Sequence, residues 1–248
     1  MEAWKQHYKP ILIGERLVIL PAWMDSPDPN RVAIKIDPGM AFGTGTHPTT
    51  QLCLELMESY FDQLSTLAPR AHRPGWSVPG SAGFENRKHL HLAHTAPVGR
   101  CRGVQVSKIV IDVGCGSGIL SIAAIKLGAK KVLGVDIDAA SIKNAQENAE
   151  TNKVGKEIIL GVGSVAEILN GQFPFKNAPL VVANILAPVI IRLFDAGMAD
   201  LIEAVGTIIL SGILQEQEQG VIEAAQVNGL RLSQRRQMGD WVALAMNR

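Results

Sequence analysis

The sequence predicts an α/β protein: a doubly wound, mostly parallel sheet with a short N-terminal β element and a long irregular insert. Three observations predict it. From Lys108 onward the apolar runs KIVIDV, KKVLGVD, EIILGV, PLVVAN, GTIILSG and WVALAM alternate with segments of helical periodicity. The runs are nearly continuous in Val, Ile and Leu, as in strands that are covered on both faces and joined by right-handed helical crossovers. A glycine-rich turn follows the first run, at the carboxyl ends of the strands, where open α/β sheets take their ligands.

Taken in order, residues 11–20 (ILIGERLVIL) and 31–36 (RVAIKI) are β-rich runs separated by SPDPN, and are expected to pair as a small strand element. The loop Asp37–Thr50, DPGMAFGTGTHPTT, comes next, with three glycines and four threonines in fourteen residues. Beyond it Cys53, Leu56, Met57, Tyr60, Phe61 and Leu64 fall at helical spacing. This predicts an amphipathic helix of about four turns, with Thr49 or Thr50 as N-cap and His47, before Pro48, as a helix-entry residue. Residues 68–106 hold no period and are rich in Pro, Gly, Arg and His, so they form an insert or linker. The remaining helices are assigned to GILSIAAIKLGA, DAASIKNAQENAETN, SVAEILN, LAPVIIRLFDAGMADLIEAV (186–205) and QEQEQGVIEAAQVNG. The chain therefore divides into an N-terminal β element and glycine-rich loop (1–46) and a main domain (47–248) that carries the insert.

At 248 residues and 26.6 kDa, with 47% apolar residues, the chain can bury one sizeable core plus an appendage. A formal charge of +1 and a pI near 7.8 give no overall bias toward nucleic acid or anionic membrane. The insert is locally basic, with six Lys or Arg against the single acid Glu85, and reads as a solvated loop with at most weak contact to nucleic acid. Three cysteines (Cys53, Cys101, Cys115) without a CxxC pair exclude a disulfide framework and fit a reducing cytoplasm. No signal-peptide core and no long apolar stretch point to a membrane. The cluster His89, His91 and His94 near Cys101 has no second ligand group at a recognised spacing, and no metal is expected. Cys115 reads as a packed residue and Trp241 as core or edge packing.

The turn VIDVGCGSGIL carries Asp112, Gly114, Gly116 and Gly118. It departs from the dinucleotide pattern G-x-G-x-x-G by having Ile119 at the sixth position, so its spacing indicates an adenosine-containing ligand and no more. The next strand ends at Asp136, where a carboxylate can accept from ribose hydroxyls; the competing role, capping the following helix, is better suited to Asp138. Asn184 ends PLVVAN, either as a donor and acceptor at the rim of the crevice or as a turn or N-cap residue. Neither glycine loop has the lysine of a phosphate loop: Thr46 follows Gly45, and Ile119 follows Gly118.

Together, DPGMAFGTGTHPTT, VIDVGCGSGILSIAAIKLGA, GVDIDAASIKNAQENAETN, VVANILA and LSGIL resemble, in that order, the bacterial ribosomal protein L11 methyltransferase family, a class I S-adenosylmethionine-dependent methyltransferase. The resemblance implies a seven-stranded Rossmann-like sheet and S-adenosyl-L-methionine as cofactor. It implies that Thr50, Gly114, Asp136 and Asn184 hold that cofactor. Gly116 joins them through the glycine turn and Phe42 as an apolar wall of the lid loop. The implied reaction is N-methylation of lysine side chains and of the N-terminal amine of the ribosomal protein, by a cytoplasmic monomer, with Asn184 orienting amine and cofactor. Two departures from the family are expected: the chain begins at what resembles the linker after a substrate-docking domain, and residues 68–106 replace a short turn. Alternatives are a methyltransferase of another protein's lysines or of a small molecule, an inactive cofactor-binding module, and a nicotinamide dehydrogenase.

Overall fold

A computed structural model describes residues 9–36, 45–67 and 108–248. The insert at 68–106 and Phe42 lie outside the described residues. The chain opens with β1 (Ile11–Ile13), β2 (Leu17–Pro21) and β3 (Val32–Ile36), a three-stranded sheet in which β1–β2 is antiparallel and β2–β3 parallel. Residues 11–20, expected as one run, thus turn back at Gly14–Arg16. The buried Glu58 carboxylate holds this turn, accepting from the amides of Glu15 (2.8 Å) and Arg16 (3.2 Å).

α1 (Pro48–Leu67) is longer than expected, and Thr49 and Thr50 lie inside its first turn instead of capping it. His47 takes the cap, its Nδ1 accepting from the Thr49 amide at 3.3 Å, while Pro48 needs no donor at the first helical position. The main sheet contains β4 (Ile109–Val113), β5 (Lys131–Asp136), β6 (Ile158–Val162), β7 (Ala178–Asn184), β8 (Ile202–Leu214), β9 (Arg231–Met238) and β10 (Trp241–Asn247). Its strand order is β6-β5-β4-β7-β8-β10-β9. The first five strands are parallel, and β10 runs antiparallel to both its neighbours.

The intervening helices are α2 (Ile119–Leu127), α3 (Ala139–Thr151), α4 (Val165–Leu169), α5 (Ala187–Asp195) and α6 (Glu218–Val227). Successive strand residues feed opposite faces. Val110 and Val132 enter a core with α1, α2 and the N-terminal sheet, while Ile111 and Leu133 enter one with α4, α5 and α6. The sheet is therefore doubly wound, as the near-continuous apolar runs require.

The expected helix over 186–205 is a correction: α5 ends at Asp195, a short 3-10 turn follows at Met198–Leu201, and β8 starts at Ile202. Apolar residues at Ala199, Leu201 and Ile202 continue the helical spacing by coincidence, and all three are buried by the turn and strand instead. β9 lies where no strand was expected. Its pattern RLSQRRQM is mostly exposed because it borders the sheet on one side only.

Candidate active site

At the carboxyl end of β4 the chain turns through Gly114, Gly116 and Gly118, with φ of 75°, 53° and 76°, in the left-handed region that favours glycine. The amides of Gly114 and Cys115 donate to Val135 O at 2.8 and 2.9 Å, tying the turn to β5. Burial and the nearby Asp112 and Asp136 carboxylates push the Cys115 thiol up, so it stays a protonated packing residue at neutral pH.

Asp136 ends β5 and divides its carboxylate: Oδ2 accepts from Gly116 N at 2.9 Å and Oδ1 from Asp138 N at 3.0 Å. Asp138, and not Asp136, caps α3 through Ala140 N. Asn184 likewise caps nothing, because Leu186 occupies the N-cap position of α5. Its Nδ2 donates to Thr50 Oγ1 at 3.2 Å, joining the end of β7 to the first turn of α1. Ser211 of β8 adds a second fastening, its buried hydroxyl donating to Thr49 O at 2.8 Å. Gly212 follows with φ 85°; a Cβ there would strike the Ile185 carbonyl, so β8 lies directly against the turn after Asn184.

These residues border two adjoining cavities. One, of about 410 Å³, is lined by Thr50, Gly114, Gly116, Asn184, Gly212 and Trp241 among others. The other, of about 360 Å³, is lined by Gly114, Asp136, Gly163, Ser164, Ile185 and Leu186 among others. Of the residues expected at the site, Thr50, Gly114, Gly116, Asp136 and Asn184 are thus brought together. Trp241 corrects its reading as packing alone: it lies on the wall of the first cavity, with the His47 ring edge-to-face at 4.8 Å and 72°.

Sequence reasoning also left Asp112, Ser211 and Gly212 without roles. The run LSGIL contains the last two, but nothing in its spacing distinguishes them from an ordinary strand end. Asp112 is fully buried at the end of β4, with Oδ2 accepting from Ser121 Oγ at 2.6 Å and Oδ1 unpartnered among the described residues. Burial pushes its carboxyl up to about 7, against the pull of the Ser121 hydrogen bonds.

A parallel α/β sheet with an antiparallel strand near one edge, and a glycine turn facing an acidic strand end, defines the class I methyltransferase fold. The chain belongs to the ribosomal protein L11 methyltransferase family: the family model described as "Ribosomal protein L11 methyltransferase (PrmA)" matches residues 1–248. It is 35% identical over 243 residues to the ribosomal protein L11 methyltransferase of Halalkalibacterium halodurans, covering 98% of this chain and 62% of the relative. With the protein of the same name from Geotalea daltonii it shares 38% identity over 244 residues, covering 98% of this chain and 65% of that one. The chain thus spans less than two thirds of the length of these relatives. A crystal structure of ribosomal protein L11 methylase from Lactobacillus delbrueckii subsp. bulgaricus superposes with a TM-score of 0.69 at 29% identity, covering 98% of each chain.

Proposed function

We propose that this chain is an S-adenosylmethionine-dependent protein N-methyltransferase whose acceptors are lysine side chains and the N-terminal amine of ribosomal protein L11. The observation that carries the reading is the Asn184–Thr50 hydrogen bond, which fixes a carboxamide on the wall of a crevice that the glycine turn also lines. Family membership supports the choice of acceptor.

The residues present suit that cofactor. Among the described residues no Lys or Arg lines either cavity, so these walls offer no counter-charge for a phosphate and no repulsion to a sulfonium cation. A Cβ at Gly116 would stand in open space, leaving the backbone there bare to a ligand. Gly114, Gly116, Asp136, Asn184 and Thr50 would hold the cofactor, with Asp136 keeping lone pairs for ribose hydroxyls beyond its two amide contacts. Bound there, S-adenosylmethionine supplies an electrophilic methyl group.

The protein's contribution is positioning. The Asn184 carboxamide, oriented by its Nδ2 bond to Thr50, turns Oδ1 to accept an N–H of the incoming amine, so that its lone pair faces the methyl carbon at about 3 Å. A lysine with an ordinary pKa near ~10.4 is mostly charged at pH 7, and its neutral form costs roughly 4 to 5 kcal/mol. Ile119, Leu120, Ile185 and Leu186 give apolar walls that disfavour the ammonium, and burial of this kind lowers a lysine pKa by ~3 to 5. The proton then leaves to solvent at the cavity mouth without a dedicated base.

The test is incubation with methyl-labelled cofactor and ribosomal protein L11, then with a cell lysate, read by mass spectrometry. Label on L11 amines supports the reading. Label on other molecules replaces the acceptor, and cofactor binding without transfer makes the chain an inactive binding module.

A further inference from the structure

The carboxyl edge of the main sheet has two sides that the described function uses unequally. β4, β5 and the turn after β6 bring Gly114, Asp136 and Gly163 to one side. β7, β8 and β10 bring Asn184, Gly212 and Trp241 to the other, where the start of α1 adds His47. With the nucleoside on the first side, according to the methyl-transfer reading on which this inference rests, the second side takes the acceptor next to the end of the cofactor that Thr50 and Gly116 would hold. We propose that Trp241 is the wall that receives the acceptor amine, and that His47 is a positioning residue for the indole and not a base.

The strand pairing fixes Trp241 where this role needs it. It is the first residue of β10 and pairs with Leu214 of β8, two residues beyond Gly212, so the indole is anchored to the same strand end that supports Asn184. An indole combines an apolar body, against which a lysine shaft packs, with a π face that attracts an ammonium head. The attraction survives methylation of that head, because a quaternary ammonium is held by aromatic faces as well. Among the described residues no acidic side chain lines this cavity, so the indole supplies the attraction for a cation there.

His47 packs edge-to-face on the indole at 4.8 Å. Its Nδ1 accepts from the Thr49 amide at 3.3 Å and lies 2.8 Å from the Thr49 hydroxyl. Both Nδ1 contacts are with Thr49, so that nitrogen is committed to the start of α1 and not to an acceptor amine. The cap bond therefore does two things: it starts α1, and it orients the ring that steadies Trp241.

The experiment uses the full chain with labelled S-adenosylmethionine and ribosomal protein L11, measuring cofactor Kd by calorimetry and acceptor KM and kcat by transfer. Trp241→Leu is expected to leave cofactor Kd within about twofold and to raise acceptor KM by roughly tenfold or more, with Trp241→Phe recovering part of the loss. His47→Asn keeps a good cap residue, so it is expected to raise KM while leaving the shape of the pH–rate profile unchanged. Unchanged KM in Trp241→Leu, or loss of cofactor binding in both Trp241 variants, overturns the indole's role. A pH limb that disappears in His47→Asn makes His47 a base and overturns its assignment. If the wild-type chain takes up no cofactor or transfers no methyl group, the methyl-transfer reading itself fails, and the inference with it.

Discussion

Asn184 and Thr50 stand 134 positions apart, yet their side chains meet at 3.2 Å, and this contact is what a single hydroxyl contributes to the site. Thr50→Val keeps the shape and removes the acceptor. Loss of one hydrogen bond of about 1 kcal/mol, together with release of the Asn184 carboxamide, is expected to weaken S-adenosylmethionine binding about 5- to 10-fold. Calorimetry checks the affinity, and an unchanged thermal melt checks the fold. Asp112 makes a different prediction. Its carboxyl ionises near 3.8 in the unfolded chain but only near 7 in the buried site, so between those values the native state holds the extra proton. Stability accordingly falls as pH rises through that window, and above about pH 7 the whole penalty, on the order of 4 kcal/mol, is present. Asp112→Asn is therefore expected to gain in melting temperature relative to wild type on going from pH 5 to pH 8. An equal difference at the two pH values, in paired calorimetric scans, would refute this account.

Among the elements, β8 and the turn after β7 interlock through Gly212, where a side chain would both enter the Ile185 carbonyl and need φ near 85°. Gly212→Ala is expected to destabilise the protein by about 2 to 3 kcal/mol in chemical denaturation and to lower methyl transfer by displacing Asn184. This interlock also marks what could be read in advance. β4, β5, β7 and β10 were legible because they are buried and apolar, and the glycine turn with Asp136 because its chemistry lies in adjacent residues. The Gly212–Ile185 contact, Ser211 and the site face of Trp241 were not, because each depends on which strands become neighbours. The start of β8 was hidden by apolar spacing that suits a helix as well as a buried turn. β9 was hidden for the opposite reason, since an edge strand has little to bury and its alternation is lost.

For the molecule as a whole, the N-terminal sheet is part of the main core: Ile13, Leu17, Ile19, Ile34 and Ile36 share a buried cluster with α1, α2 and β4. Polar fastenings reinforce it. Asn152 accepts from Lys35 N at 2.9 Å and donates to Lys35 O at 2.6 Å, and Lys126 Nζ donates to Ala33 O at 2.6 Å. A chain lacking residues 1–36 is therefore expected to lose the cooperative thermal transition of the intact chain, as followed by circular dichroism; an unchanged midpoint would mean that the small sheet folds and unfolds independently. β9, at the far border of the main sheet, bears on solubility at high concentration. Arg231 and Arg236 lie exposed on this strand, while Arg235 beside them is paired with Glu218, its Nε donating to Oε1 at 2.6 Å and its Nη2 to Oε2 at 2.8 Å. A second molecule laid against the open border would bring its own arginines opposite these, and like charges facing each other across strands repel. The cationic border is a poor template for another chain, and it ends the growth of the sheet at seven strands.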